Sequence, residues 1–532
     1  MAGGAGDVAL CLPHRGRDRV PAGPPAHPEG SPYSLGSGVL GVDCADCFRR
    51  GRRDILPGAI HHDRAGPVRH RRDHGPGGFR DDPAQRHRAG LSRTGEPAGP
   101  ACNSARLSAE LTRIREVRFR QFAAIGVVMA CTACASVPTT SALATVKVGA
   151  LFPLTGSQAP LAKQEYAGVQ IAKDLVNADG GVDGVPIALL TKDLTAESDA
   201  AGRVQELQVQ GVHSILGSYS SSLSMPVSAA AQSRGLLYWE AGAVADQLTG
   251  RGYPLVFRVG ATGTNLGEMS SHFAAQVLAP RLNLPPRGLR MAIVHNVDGY
   301  PTSVATAVAA QAEREGIQIV ANVVYDAHAP DWASVLQQVR SSQPNILVLA
   351  SYIVDGVDFR RAMLKSGLHV DAFIGSTMAQ CVPDFGAMLG ADAIGVFASD
   401  RPPHGFNPEA LNDAGKAIYA RFAAAYRSEF GTDPTEESLA GFSAAWTLFH
   451  YVMPKARDLG AASMAAAARG LDLPNGTLAN GAGLKFATTS KAMGQNTRAA
   501  AVIWQWQGIR HSVTVYPPVY ATGTVGFIPL PR

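Results

Sequence analysis

From Val146 onward, short apolar runs alternate with amphipathic stretches. VKVGALFPL (146–154) reads as a buried strand that stops at Pro153 and Thr155-Gly156. Gln164 to Ala178 carries apolar residues at helical spacing, and Gly180-Gly181 ends it. Ile187 to Lys192 is a second strand, Ala200 to Gln210 a second helix, and Val212 to Leu216 a third strand. That strand runs into Gly217 and a serine cluster of Ser218, Ser220, Ser221 and Ser222. A helix is expected to begin near Ser224-Met225-Pro226, with Pro226 in the first turn, where its missing N–H costs nothing. Leu236 to Trp239 and Leu255 to Val259 are two further strands.

The same rhythm then repeats. Strands are predicted over 289–295, 317–325, 346–350, 372–375 and 395–398, and helices over 302–315, 332–341 and 357–365. Two long helices follow, over 412–430 and 436–457; then come a strand over 500–506 and an extended tail over 513–520. Strands that alternate with helices form parallel sheets covered on both faces. The predicted fold class is therefore α/β, with two doubly wound parallel-sheet lobes. Ligands of such sheets sit beyond the carboxyl ends of the strands. The serine cluster lies at one such end, and Glu240-Ala241-Gly242-Ala243 at another.

Composition changes the picture mainly before residue 146. The 532 residues are 46% hydrophobic and 17% charged, which fits a globular chain. Residues 1–110 hold sixteen arginines and no lysine, whereas the first lysine is Lys147. Residues 1–112 thus read as low-complexity sequence, either a disordered extension or translation from a misplaced start. The segment 113–135 resembles a secretory signal, with Arg113, Arg115, Arg118 and Arg120 preceding the apolar run FAAIGVVMACTACA. Cys131 in VMAC is a candidate lipidation site, while Ala133-Cys134-Ala135 and Ala142-Leu143-Ala144 fit ordinary cleavage. The net charge of +5 comes without aromatic interleaving or a recognition motif, so no nucleic-acid partner is expected. Six of the seven cysteines lie before residue 135, and Cys381 is expected to be a buried free thiol.

The serine cluster is the first chemical candidate. A strand entering a helix through Gly and Ser presents unpaired N–H groups and hydroxyls to an anion, although Ser can equally be only a helix cap. Gly-x-Ser-x-Gly is absent around it, as are a Walker A sequence and His-Glu-x-x-His, so no enzyme, cofactor or metal site is expected.

Several stretches, in order and spacing, carry a resemblance: VKVGALFPLTG (146–156), AGVQIAKDLVNADGGVDGVPI (167–187), ILGSYSSS (215–222), YWEAGAVADQLTGRGYPLVFRV (238–259), VHNVDGYPTSVA (294–305) and VYPP (515–518). Together they resemble the type I periplasmic substrate-binding proteins of ABC importers, in the branched-chain amino-acid-binding family. The resemblance implies three crossovers, near Arg258–Thr262, Val396–Arg401 and Ala500–Trp506. Lobe one would hold residues 145–259 and 400–500, and lobe two residues 262–398 and 503–532.

The resemblance also implies a site. The ligand carboxylate would meet Ser221, with Ser222 beside it. The ammonium would meet the carbonyls of Gly242 and Val244, where the family's threonine hydroxyl is absent. Tyr300 and Tyr352 would face the ligand from lobe two. The family's acidic partner for the ammonium falls on Thr377, so either Glu240 supplies the charge or the ligand is an amide or an organic acid rather than an α-amino acid. The implied function is the extracytoplasmic solute-binding component of an ABC importer, a monomer delivering a small polar ligand to an inner-membrane permease and located in the periplasm, free or lipid-anchored. The alternative is a ligand sensor of the same fold.

Overall fold

The computed structural model describes residues 144–532. The low-complexity segment, the signal-like segment and Cys131 lie outside the described residues.

Two sheets organise the chain. The first has five parallel strands: β1 (Val146–Phe152), β2 (Ile187–Asp193), β3 (Ser214–Gly217), β4 (Leu237–Glu240) and β5 (Val256–Arg258), in the order β2-β1-β3-β4-β5. Between them lie α1 (Ala159–Ala178), α2 (Ala200–Val209) and α3 (Ser221–Ser233). The chain then forms α4 (Gly263–Phe273) and enters a seven-stranded sheet through β6 (Arg290–Asn296), α5 (Gly299–Glu315), β7 (Gln318–Tyr325), α6 (Trp332–Ser341), β8 (Ile346–Ala350), α7 (Ile353–Ser366), β9 (Ala372–Ser376), α8 (Pro383–Leu389) and β10 (Phe397–Asp400). It returns to the first lobe with α9 (Asp413–Phe430), α10 (Glu436–Trp446) and α11 (Ala461–Arg469), then completes the second sheet with β11 (Val502–Gly508) and β12 (His511–Tyr516). That sheet runs β12-β11-β10-β9-β8-β6-β7, and only β11 and β12 join it antiparallel. The architecture is the α/β, two-lobed, doubly wound class read from the sequence.

Some predicted elements differ. Residues 263–273, unassigned in the sequence, form α4. Its Gly263 and Gly267 read as breakers, yet they serve packing: a Cβ at Gly263 would lie 2.5 Å from the Ser303 side chain, and one at Gly267 would strike the Val304 carbonyl of α5. The long helix predicted over 436–457 keeps α-helical bonding only to Trp446 before widening and then tightening. The first half of the tail predicted over 513–520 belongs to the strand β12. α3 begins at Ser221, so Pro226 lies inside the helix rather than in its first turn. Its missing N–H leaves the Ser222 carbonyl without the usual helical donor.

One crossing positions the site. α10 packs on α1 with backbone against backbone, because both helices carry glycine there. A Cβ on Gly168 would strike the Ser438 carbonyl, and one on Gly441 the Glu165 carbonyl. The substitution Gly441→Ala should therefore cost about 1–3 kcal/mol by overpacking, measured by urea unfolding; an unchanged midpoint would show that the helices separate freely.

The core beneath includes Trp239, which is fully buried, stacks on Phe257 at 5.4 Å between ring centroids and donates from Nε1 to the Ala444 carbonyl at 2.9 Å. Trp239 is thus a packing residue. Trp504 and Trp506 share the core of the second lobe, where Trp506 Nε1 donates to the Gln380 carbonyl at 2.7 Å. Cys381 is a buried free thiol.

Candidate ligand-binding site

The loop after β4 meets α4 and α5 of the second lobe. The Asp246 N–H donates to Ser303 Oγ at 3.1 Å, while the Asp246 carboxylate accepts from the Thr264 N–H at 3.1 Å and its hydroxyl at 2.7 Å.

On the first lobe, Ser220 occupies the cap position of α3 without capping it; its hydroxyl lies 3.2 Å from Ser222 Oγ. Among the described residues nothing accepts from the N–H groups of Ser221 and Ser222. The first turn therefore keeps open donors and its partial positive charge. Ser221 Oγ accepts from the Ala245 N–H at 3.0 Å, which ties α3 to the loop after β4 and leaves the hydroxyl proton available.

That loop is shaped by Glu240. Its Oε1 accepts from the N–H groups of Ala241, Gly242 and Ala243 at 3.1, 2.9 and 2.8 Å, and Oε2 takes the Tyr238 hydroxyl at 2.7 Å. Burial raises the Glu240 carboxyl above its ordinary range, and these donors pull it back. Glu240 is thus committed to folding the loop, with both carboxylate oxygens already hydrogen-bonded. The two carbonyls assigned to an ammonium are also engaged. The Gly242 carbonyl accepts from Arg401 Nη1 at 3.1 Å, and the Val244 carbonyl from the Gly263 N–H at 2.6 Å.

On the second lobe, Tyr300 is fully buried and donates to the carbonyls of Ser351, at 3.1 Å, and Thr377. Tyr352 lies edge-on to it, centroids 5.3 Å apart, and donates to Asp298. Both hydroxyls are spent within the lobe, so these tyrosines offer ring surface rather than donors. Thr377 Oγ1 is buried and has no partner.

The structure adds residues that the sequence reading missed. Glu165 of α1 is fully buried, and among the described residues neither carboxylate oxygen has a hydrogen-bond partner. It lies against Gly242, where a Cβ would strike Oε2. Close to it, Arg401 is 2% exposed and is held by Glu436 at 2.6 Å, Glu437 at 3.1 Å and Asp400 at 3.7 Å. Burial opposes its charge, but Glu436, Glu437 and Asp400 hold the guanidinium more firmly protonated than an ordinary arginine. Burial, then the charges of Glu437 and Glu240, raises the Glu165 carboxyl well above its usual range, against the pull of Arg401. Burial likewise raises Glu436, and pushes Glu437 up to about 7. A signal for Glu165 was present: Ala162, Glu165, Val169, Ala172 and Val176 form the buried stripe of α1, so a carboxylate stands on an apolar face.

Two doubly wound lobes joined by crossovers, with an open helix N-terminus at the carboxyl end of one sheet, are the build of a solute-binding protein. The chain belongs to the periplasmic binding protein family, whose model matches residues 145–507. It is 31% identical over 408 residues to Leu/Ile/Val-binding protein homolog 8 of Brucella suis, covering 76% of this chain and 97% of the relative. The branched-chain amino acid transporter substrate-binding protein LivJ of Streptococcus pneumoniae, solved in complex with isoleucine, superposes with a TM-score of 0.56 at 19% identity, over 70% of this chain and all of that one. A solute-binding protein of an ABC transporter from Rhodopseudomonas palustris, solved with 3,4-dihydroxybenzoic acid, superposes with a TM-score of 0.54 at 20% identity, covering 68% and 93% of the two chains. Among the described residues no helix is long and apolar enough to cross a membrane.

Proposed function

We propose that this chain is the extracytoplasmic solute-binding component of an ABC importer, and that it closes over an amino acid or a related small carboxylate or amide. The observation that carries the reading is the open first turn of α3 at Ser221 and Ser222, whose N–H groups have no acceptor among the described residues. A carboxylate suits those amides, and the tyrosine rings suit an apolar body. The lobes divide as residues 145–259 with 400–500 and 262–398 with 503–532, and they hinge at the three crossovers between them. A ligand touching both lobes biases the closed form, and a permease reads that form. The protein acts as a monomer, catalyses nothing, and is held in the periplasm free or through a lipid on Cys131.

A thermal-shift screen of the full chain against the twenty common L-amino acids, their amides and aromatic acids tests this reading. A ligand at one hundred times its Kd adds about 2.7 kcal/mol of stability. No shift with any of the three classes would refute it. The variant Ser221→Ala should bind the hit about tenfold more weakly, since it loses a hydroxyl donor and the tie to Ala245; undiminished binding would remove Ser221 from the carboxylate site.

A further inference from the structure

We propose that Glu165 is the cation-binding residue of the cleft, so that the solute carries a protonated nitrogen seated on lobe one rather than at Thr377 of lobe two. The inference rests on the solute-binding reading above and narrows its ligand to an ammonium-bearing acid.

Four carboxylates, of Glu165, Asp400, Glu436 and Glu437, are gathered around a single guanidinium, that of Arg401. The next buried arginine, Arg258, does not join them. It donates to the Ala243 and Ala245 carbonyls at 3.2 and 2.7 Å, to Gln495 Oε1 at 2.7 Å and to Thr249 at 3.2 Å. Arg401 reaches Glu436, Glu437, Asp400 and the Gly242 carbonyl, which leaves Glu165 without a hydrogen-bonded counter-ion. A buried ionised carboxylate without such a partner is costly, so the group either keeps a proton or waits for a cation.

Glu165 borders the segments that carry the proposed ligand site. Tyr219, after β3, and the Gly242 loop, after β4, stand beside Glu165, and both segments lie at the carboxyl ends of strands where the lobes meet. Thr377 Oγ1, on the opposing lobe and outside the acidic group, is also buried without a partner. The anion and cation ends fall on one short loop. Glu165 meets it at Gly242 and Ser221 meets it at Ala245, three residues on, a separation of no more than about 11 Å between Cα atoms. That is the scale of a small zwitterion. Glu437 and Glu240 face Glu165 with like charge, and Arg401 with opposite charge. An arriving ammonium supplies the counter-charge that Glu165 lacks, and a proton held there leaves to solvent as the ammonium binds.

Calorimetry of the full chain tests this with L-leucine and with 4-methylpentanoate, which keeps the skeleton and carboxylate but lacks the nitrogen. The wild type should bind leucine at least tenfold more tightly than 4-methylpentanoate. Glu165→Gln should bind leucine at least tenfold more weakly and 4-methylpentanoate no worse than wild type does; a general structural defect would weaken both. Equal wild-type affinity for the two ligands, or full leucine affinity in Glu165→Gln, would overturn the assignment. Should the variant fail to fold, Glu165→Asp takes its place, with the same expected loss for leucine alone. If the wild type binds leucine and the acid equally, only this inference fails; if it binds neither, and the wider panel gives no shift, the solute-binding reading falls with it.

Discussion

Replacing Arg401 with leucine should cost about 3–5 kcal/mol of folding stability, the range for stripping one partner from a buried ion pair. The guanidinium is 2% exposed and sits at the end of β10, where the chain passes back toward the first lobe. It neutralises Glu436 and Glu437 at the start of α10, contacts Asp400, and donates to the Gly242 carbonyl. Leucine fills much of the volume but supplies no charge, so Glu436, Glu437 and Asp400 are left buried without their cation. The cost should shrink as pH falls from 8 to 5.5, because the carboxylates then take up protons instead. Urea unfolding at both pH values checks this. An equal loss at each would show that Arg401 acts through packing alone.

The second large effect concerns Glu437. Its carboxyl moves from an ordinary value of 4.5 to about 7 on folding, chiefly through burial, with Arg401 pulling down and Asp400 pushing up. A raised carboxyl pKa means that the folded state holds the proton more tightly than the unfolded one. The stability this contributes is complete below pH 4.5 and is lost as pH rises through about 7. The shift from 4.5 to about 7 corresponds to about 3 kcal/mol. Glu437→Gln does not titrate at this position, so the stability of wild type minus variant should fall by about that amount between pH 4.5 and 8. Burial lowers the pKa of His295, His404 and His450, which therefore act in the opposite direction, but they are common to both proteins and cancel in the difference. A pH-independent difference would contradict the account. Glu436 and Glu165 shift in the same direction as Glu437, so the same measurement on Glu165→Gln reports the second half of the cluster.

The alternation of strand and helix was legible because each parallel strand is a short apolar run bounded by Gly, Pro or Ser, and each helix keeps one apolar stripe. The opening of α3 was legible as a candidate because Gly217 and the serines follow a strand directly. The helix α4 was not, because its glycines signal breaks locally and serve contact with α5 only in three dimensions. Glu240 misled for a related reason. An acid at a strand end reads as available charge, whereas here its four hydrogen bonds turn inward to the next three residues and Tyr238. Glu165 carried a signal, a charge on a buried stripe. Its significance depends on Gly168 and Gly441, which let α1 and α10 approach until Glu165 and Glu437 share one buried space, and no local pattern encodes that meeting.

The central claim is that a small zwitterion is held between the lobes, its carboxylate on α3 and its nitrogen on Glu165. A crystal structure of the full chain with the hit from the binding screen tests it most directly. The expected complex has a ligand oxygen within hydrogen-bond distance of the Ser221 and Ser222 N–H groups, a ligand nitrogen against Glu165, and the apolar body beside Tyr300 and Tyr352. A ligand seated outside the cleft, or one whose nitrogen contacts Thr377 with Glu165 untouched, would contradict it.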